Sequence, residues 1–170
     1  PRPRNSEAAD SANGVKQFAG TASFKARDTI EIASQAGATL IGAKKTIIAT
    51  GSTSVMPGFL PKHARVVESR AFLDLDKLPE TMIVLGGGFI GCELACMAAQ
   101  LGVKVTIVEL LEDILLLLDG DVRRTVRAHM EKELGIRVLT GKALANITAD
   151  SKAVRGKCGD QTVEAALLLS

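Results

Sequence analysis

The chain has 170 residues, 46% hydrophobic and 24% charged, with 21 Lys and Arg against 19 Asp and Glu for a formal net charge of +2. That is the composition of an ordinary globular protein and argues against disorder through most of the length. Basic residues are scattered, Trp and Tyr are absent and only five Phe occur, which excludes the charged blocks and aromatic platforms of a nucleic-acid binder; apolar stretches are interrupted well before the ~18 residues of a membrane-spanning helix.

Residues 1–14, "PRPRNSEAADSANG", are polar and read as a flexible lead-in. From Val15 to Thr50 the stretches "VKQFAGTASFKA", "TIEIAS" and "ATLIGAKKTIIAT" predict antiparallel strands joined by tight turns at "RD" and "QAG". "GSTSVMPGFLPKHA" is a connection between domains, and a short helical turn over Ser69–Leu75 ends before Pro79. A strand at Met82–Leu85, a helix at Phe89–Leu101 stopped by a left-handed Gly102, and a strand at Lys104–Glu109 follow. After "LLEDILLLLDG", read as a variable apolar loop, a second helix spans about Asp121–Leu134. Its apolar Val122, Val126, Met130 and Leu134 recur four apart, Asp119 or Asp121 is its expected N-cap, and Gly135 its stop. Strands at "IRVLT", "ALANITA", "AVRGK" and "EAALLLS" complete an α/β, Rossmann-like pattern: a parallel sheet with a βαβ unit plus antiparallel strands, preceded by an antiparallel β segment.

The βαβ unit carries the chemistry. Gly86, Gly88 and Gly91 fit G-x-G-x-x-G, with Gly87, Phe89 and Ile90 between them, at the joint of strand and helix. The three glycines supply a tight turn, close approach of backbone to a pyrophosphate, and close packing of helix on sheet, while the helix N-terminus favours an anion. Glu109 ends the second strand 18 residues after Gly91, where a carboxylate accepts hydrogen bonds from a ribose 2′-hydroxyl and repels a 2′-phosphate. The expected ligand is NAD(H) in preference to NADP(H).

"TIIATGS", "LPETMIVLGGGFIGCELACMAAQLGVKVTIVE" and "DGDVRRTVRAHMEKELGIRV" together resemble the pyridine nucleotide-disulphide oxidoreductase family, and most closely its dihydrolipoyl dehydrogenase branch. The resemblance implies FAD in one domain, NAD in a second and homodimerisation through a third, with electrons passing from a dithiol such as lipoamide on a carrier domain through FAD to NAD+. It implies that residues 15–68 are the tail of an FAD-domain segment and the connection, and 69–170 the NAD-binding domain. By the same resemblance Gly20 and Ala22 lie near the flavin adenine, and Ala49, Thr50, Gly51 and Ser52 form a turn near FAD. Phe89 would gate the nicotinamide pocket, Glu93 would lie near the flavin ring on the nicotinamide side, and Leu144 would line the adenine pocket. As residues alone, Phe89 and Leu144 also suit core packing and Glu93 suits the helix dipole.

The family's redox Cys-x4-Cys has no match here, and neither do its first FAD-binding glycine motif and its His–Glu acid–base pair, so no catalytic residue is assigned to this chain. Cys92 and Cys96, four apart on a helix, are unsuited to a disulphide and read as packing residues, a metal pair being the remote alternative. Three cysteines that cannot all pair, and opening residues that do not read as a signal peptide, suggest a reducing cytoplasm or mitochondrial matrix. His63 and His129 are expected on the surface. Beginning at Pro1 and stopping in "AALLLS", the chain is expected to be part of a longer flavoenzyme, inactive alone, with the strands of 15–50 exposing apolar surface. The alternatives are a mercuric or glutathione-type reductase and a non-catalytic NAD-sensing module.

Overall fold

A computed structural model describes residues 13–170, so all but the end of the expected lead-in lies outside the described residues. The chain divides into two compact units, Pro1–Gly51 and Ser52–Ser170. The first holds a three-stranded antiparallel meander of β1 (Thr21–Ala26), β2 (Thr29–Ser34) and β3 (Gly37–Gly42). Two-residue turns join the strands, with Ala26 opposite Thr29 and Ser34 opposite Gly37; the first is the expected "RD", while the second is Gln35–Ala36 alone because Gly37 already pairs in β3. The expected first strand begins only at Thr21, and Thr46–Thr50 is not a strand. The reason is a missing partner: Ile47 and Ile48 are 91% and 72% exposed, with no neighbouring strand among the described residues to take their backbone groups. None of this unit's described residues is buried.

The second unit is layered around a five-stranded parallel sheet in the order β4 (Val66–Val67), β11 (Leu167–Leu169), β5 (Thr81–Leu85), β6 (Lys104–Val108), β7 (Arg137–Leu139). Side chains alternate along each strand, so Met82, Val84, Val105, Ile107, Leu167 and Leu169 share one core with helix residues Cys92, Ala95, Ala98 and Met130. Ile83, Val108 and Leu168 enter a second core with Leu144, Val154 and Val163 of an antiparallel meander, β8 (Leu144–Ala149), β9 (Val154–Cys158) and β10 (Gln161–Ala165). A sheet covered on both faces explains why "MIVL" and "LLL" are apolar without interruption. Among the described residues no helix is long and apolar enough to cross a membrane.

Three helices complete the unit among the described residues: α1 (Ser69–Leu73), α2 (Phe89–Gln100) and α3 (Gly120–Lys132). Glu68 caps α1 by accepting from the Arg70 and Ala71 N–H groups, both at 2.8 Å. Gly102 at φ +90° and Gly135 at φ +65° end α2 and α3 in the left-handed region as expected. Asp119 occupies the N-cap position of α3 but its side chain makes no capping bond, and Asp121 instead pairs with Arg124.

Three further residues or segments depart from the sequence reading. "EAALLLS" is two strands in two sheets, divided at Ala166, whose N–H donates to Thr81 Oγ1 at 2.8 Å and whose carbonyl accepts from the Arg65 guanidinium at 2.9 Å. The "LLEDILLLLDG" segment is no loose loop, because Ile114 is fully buried and Leu115 is 7% exposed. His63 is half-buried and its Nδ1 accepts from the Arg65 N–H at 3.2 Å, whereas His129 is exposed.

Candidate functional site: the glycine turn and Glu109

Strand β5 runs into Gly86, whose φ of +108° is open to glycine at little cost. Its N–H donates to the Val108 carbonyl at 2.9 Å, tying the turn to the end of β6. Gly91 sits one helical turn on, where an added Cβ would lie 2.2 Å from the Gly86 carbonyl oxygen, so only a bare Cα lets α2 pack so close. Gly88 is the N-cap of α2 with extended backbone, φ −74° and ψ −177°. A Cβ there would meet nothing within 4 Å. Absence of a side chain at Gly88 is therefore not demanded by packing, and the space it faces is open.

That space is a cavity of about 470 Å³ lined by Gly86, Gly88, Phe89, Ile90, Gly91 and Ser170 among others. A second cavity of about 260 Å³, lined by Phe59, Glu109, Leu110 and Leu144, shares Leu85, Gly86 and Ser170 with the first. The first lies at the N-terminus of α2 and the second at the end of β6, on either side of the shared Gly86. Glu93 faces a third cavity of about 430 Å³ with Cys96, Met97 and Gln100, and Phe89 borders both this and the first.

Glu109 is half-buried and already engaged with backbone. Its Oε2 accepts from the Gly87 N–H at 2.5 Å and its Oε1 from the Leu111 N–H at 2.7 Å. Each carboxylate oxygen can accept more than one bond, so both keep capacity for a ligand hydroxyl. The sequence pattern brought Glu109 and the glycines together by spacing, but gave no sign that the carboxylate grips the turn directly.

Gly87 is also held from the other side. Its carbonyl accepts from the Leu115 N–H at 2.8 Å and from the Cys92 thiol at 3.4 Å. A Cβ on Gly87 would lie 2.5 Å from Ile114 Cγ2, so this glycine is required by the 110–119 segment crossing over it. Sequence reasoning missed that segment, whose only signal was an apolar run too long for a solvated loop. Asp113 fastens it to α3, accepting from Arg127 at 2.8 Å and Arg123 at 3.4 Å as well as from the Ile114 N–H at 2.9 Å. Burial pushes the Asp113 carboxyl up, but the bonds from Arg127 and Ile114 and the charges of both arginines outweigh it and hold the group below the usual carboxylate range.

Cys92, Cys96 and Cys158 are all free thiols. Burial, aided by the charges of Cys96, Glu109 and Glu93, pushes the Cys92 thiol up to about 12, which makes it a neutral packing group that donates to Gly87. In the first unit Ala22, Ala49 and Thr50 line one cavity of about 310 Å³ with Phe24 and Ile47, while Gly20, at φ +157°, borders another beside Ala33. Gly51 is left-handed at φ +76°, and Ser52 opens the second unit.

The profile of the pyridine nucleotide-disulphide oxidoreductase family matches residues 3–170. Among curated proteins the chain is similar to the dihydrolipoyl dehydrogenases of Haloferax volcanii, 44% identical over 77% of this chain and 28% of that protein, and of Chlorobaculum tepidum, 39% identical over 76% and 29%. Among solved structures it is similar to the HOCl-induced flavoprotein disulfide reductase RclA from Escherichia coli, in the Cu(II) complex of a mutant form, with a TM-score of 0.81 and 27% identity over 98% of this chain and 38% of that one. LpdA from Mycobacterium tuberculosis superposes with a TM-score of 0.76 and 28% identity, over 95% and 39%. The chain thus spans about a third or less of the curated relatives it matches. With the family profile matched from residue 3 to the last residue, the chain belongs to the pyridine nucleotide-disulphide oxidoreductase family.

Proposed function

We propose that the chain is the NAD-binding part, with a strip of FAD-binding domain, of an FAD-dependent oxidoreductase of the dihydrolipoyl dehydrogenase kind. Residues 69–170 form the NAD domain and 15–68 the tail of the FAD segment with its connection. The observation that carries the reading is the bond between Glu109 and the Gly87 N–H, which joins the ribose-selecting carboxylate to the turn whose next residue, Gly88, faces open space.

In this reading the pyrophosphate lies over Gly88 and the first turn of α2, whose free N–H groups and dipole favour an anion. Glu109 accepts the adenosine ribose hydroxyls and repels a 2′-phosphate, and Leu144 lines the adenine pocket. Phe89 and Glu93 shape the nicotinamide side. Gly20, Ala22 and the Ala49–Ser52 turn approach FAD. In the whole protein, proposed as a homodimer, a dithiol such as lipoamide on a carrier domain is oxidised to its disulphide, and the electron pair leaves through FAD to NAD+. NAD+ supplies hydride acceptance, and this chain supplies binding and orientation.

Likeness to a flavoprotein disulfide reductase at a TM-score of 0.81 supports a second reading, in which electrons run from NADH toward a disulphide. Both readings share the nucleotide site. Titration with NADH, read by nicotinamide fluorescence, with NADPH in parallel, tests it: saturable NADH binding and a much weaker NADPH response are expected. Equal response to both, or none, would defeat the assignment.

A further inference from the structure

We propose that the segment from Leu110 to Asp119 is a strap that orients the nucleotide-binding turn, with Asp113 as a positioning residue that pins the strap to α3; this rests on the reading of Gly86–Gly91 as an NAD site.

A trans peptide is planar, so its C=O and N–H point in opposite directions. The Gly87 carbonyl and the Gly88 N–H belong to one such peptide. Because the carbonyl is drawn toward the Leu115 N–H at 2.8 Å, the Gly88 N–H is directed away from the strap, on the side where Gly88 borders the 470 Å³ cavity. The strap therefore sets the direction of the donor that a pyrophosphate would meet first. Gly87 is fixed at both ends of its residue, its N–H on Glu109 and its carbonyl on Leu115, and its Cα is covered by Ile114.

Leu115 holds that bond in a left-handed conformation, φ +53°, which a branched side chain adopts only where its surroundings enforce it. Two features do so. Ile114 is inserted into the core shared by β5, β6 and α2, and Asp113, the residue before it, is paired with Arg123 and Arg127 on α3, while Arg127 is steadied in turn by Glu131 at 3.2 Å. None of the side chains of Asp113, Ile114, Arg123 and Arg127 lines the cavities beside Gly88, Glu109 or Glu93, so their effect on a ligand runs through the Gly87 peptide, while Leu115 borders the cavity beside Glu93.

The charge of Asp113 makes the role testable by sign. If Asp113 acted on an anionic nucleotide only through its field, Asp113→Ala would tighten NADH binding by removing a negative charge. Acting through the strap, the same substitution weakens binding, by roughly tenfold, within the usual range of coupling between sites. Asp113→Asn, which keeps an acceptor for the Ile114 N–H, should fall between, and provides a milder variant should the alanine fail to fold. Arg127→Ala should add little to Asp113→Ala, because both release the same pin.

The experiment pairs NADH titration of wild type, Asp113→Ala, Asp113→Asn and the double variant with amide hydrogen exchange of Leu115 in the absence of nucleotide. Weaker NADH binding and faster Leu115 exchange in the Asp113 variants, with the interior of α2 still protected, is the expected result. Unchanged or tighter NADH binding overturns the strap. Absence of NADH binding by the wild type overturns the nucleotide reading and with it the strap's role. Leu115 exchange distinguishes the two failures, since it reports the pin without any ligand.

Discussion

Gly88 and Gly91 belong to one motif, yet the structure assigns them opposite sensitivities, and a pair of alanine substitutions separates fold from binding. At Gly91 the new methyl carbon would stand 2.2 Å from the Gly86 carbonyl oxygen and 3.3 Å from Val84 Cγ1. Favourable contacts lie near 3.5–4.0 Å, so the overlap exceeds an ångström and its wall is backbone. Relief requires α2 to lift from β5, a strain of about 1–3 kcal/mol, against which alanine's helix propensity returns up to about 1 kcal/mol. Gly91→Ala should therefore melt several degrees lower and bind NADH poorly. At Gly88 the methyl meets nothing within 4 Å and the backbone already suits alanine. The stability loss should stay below about 1 kcal/mol, the difference between glycine and alanine as an N-cap. Binding is another matter, because the methyl occupies the approach of the pyrophosphate. Losing one charged hydrogen bond, about 1.5–3 kcal/mol, weakens NADH roughly 10- to 150-fold. The assays are thermal unfolding by circular dichroism and NADH fluorescence titration. Gly88→Ala with native melting and native NADH affinity would refute the claim that phosphate passes over Gly88.

Three more expectations follow from the geometry. Glu109→Gln retains an acceptor for the Gly87 N–H but loses the charge, so the preference for NADH over NADPH should fall by roughly tenfold or more; an unchanged ratio in parallel titrations would remove Glu109 from nucleotide selection. Arg65 donates to the carbonyls of Asp150, Ser151 and Ala166 at 3.2, 2.5 and 2.9 Å, clamping the connection to the β8–β9 turn and to the joint between β10 and β11. Arg65→Ala should cost about 2 kcal/mol in urea unfolding, with little rescue by Lys, whose single ammonium cannot span three carbonyls; a loss below about 0.5 kcal/mol would show the clamp to be incidental. With its thiol raised to about 12 and 4% exposed, Cys92 should resist iodoacetamide at mildly alkaline pH in the folded chain and react once urea unfolds it. Rapid labelling of native Cys92, read by peptide mass spectrometry, would contradict that.

Features legible in the sequence are those encoded over short spans. The turn at Gly86–Gly91, the helix that follows and the carboxylate at Glu109 lie on one βαβ unit, where glycine placement and apolar alternation carry the information. The stops at Gly102 and Gly135 are likewise local, since each needs only a residue tolerant of positive φ. What stayed hidden depends on partners far along the chain. No turn residue marks Ala166, because the switch between sheets is made by Thr81 and Arg65, 85 and 101 residues away. Strand β4 is two residues long and exists through pairing of Val66 and Val67 with Leu168 and Leu169. The strap over Gly87 could not be read from "LLEDILLLLDG" because Ile114 owes its burial to a glycine on another loop. Conversely, "TIIAT" has strand composition without a strand, since propensity cannot substitute for a hydrogen-bonding neighbour.

The site itself can be located most directly by mapping amide chemical shifts of the isotope-labelled chain as NADH is added. The proposed site predicts progressive shifts at Gly87, Gly88, Phe89 and Ile90, and at Leu111 beside Glu109, with β8–β10 residues remote from Leu144 unmoved. Shifts confined to other surfaces, or none at saturating NADH, would contradict a nucleotide lying across the glycine turn.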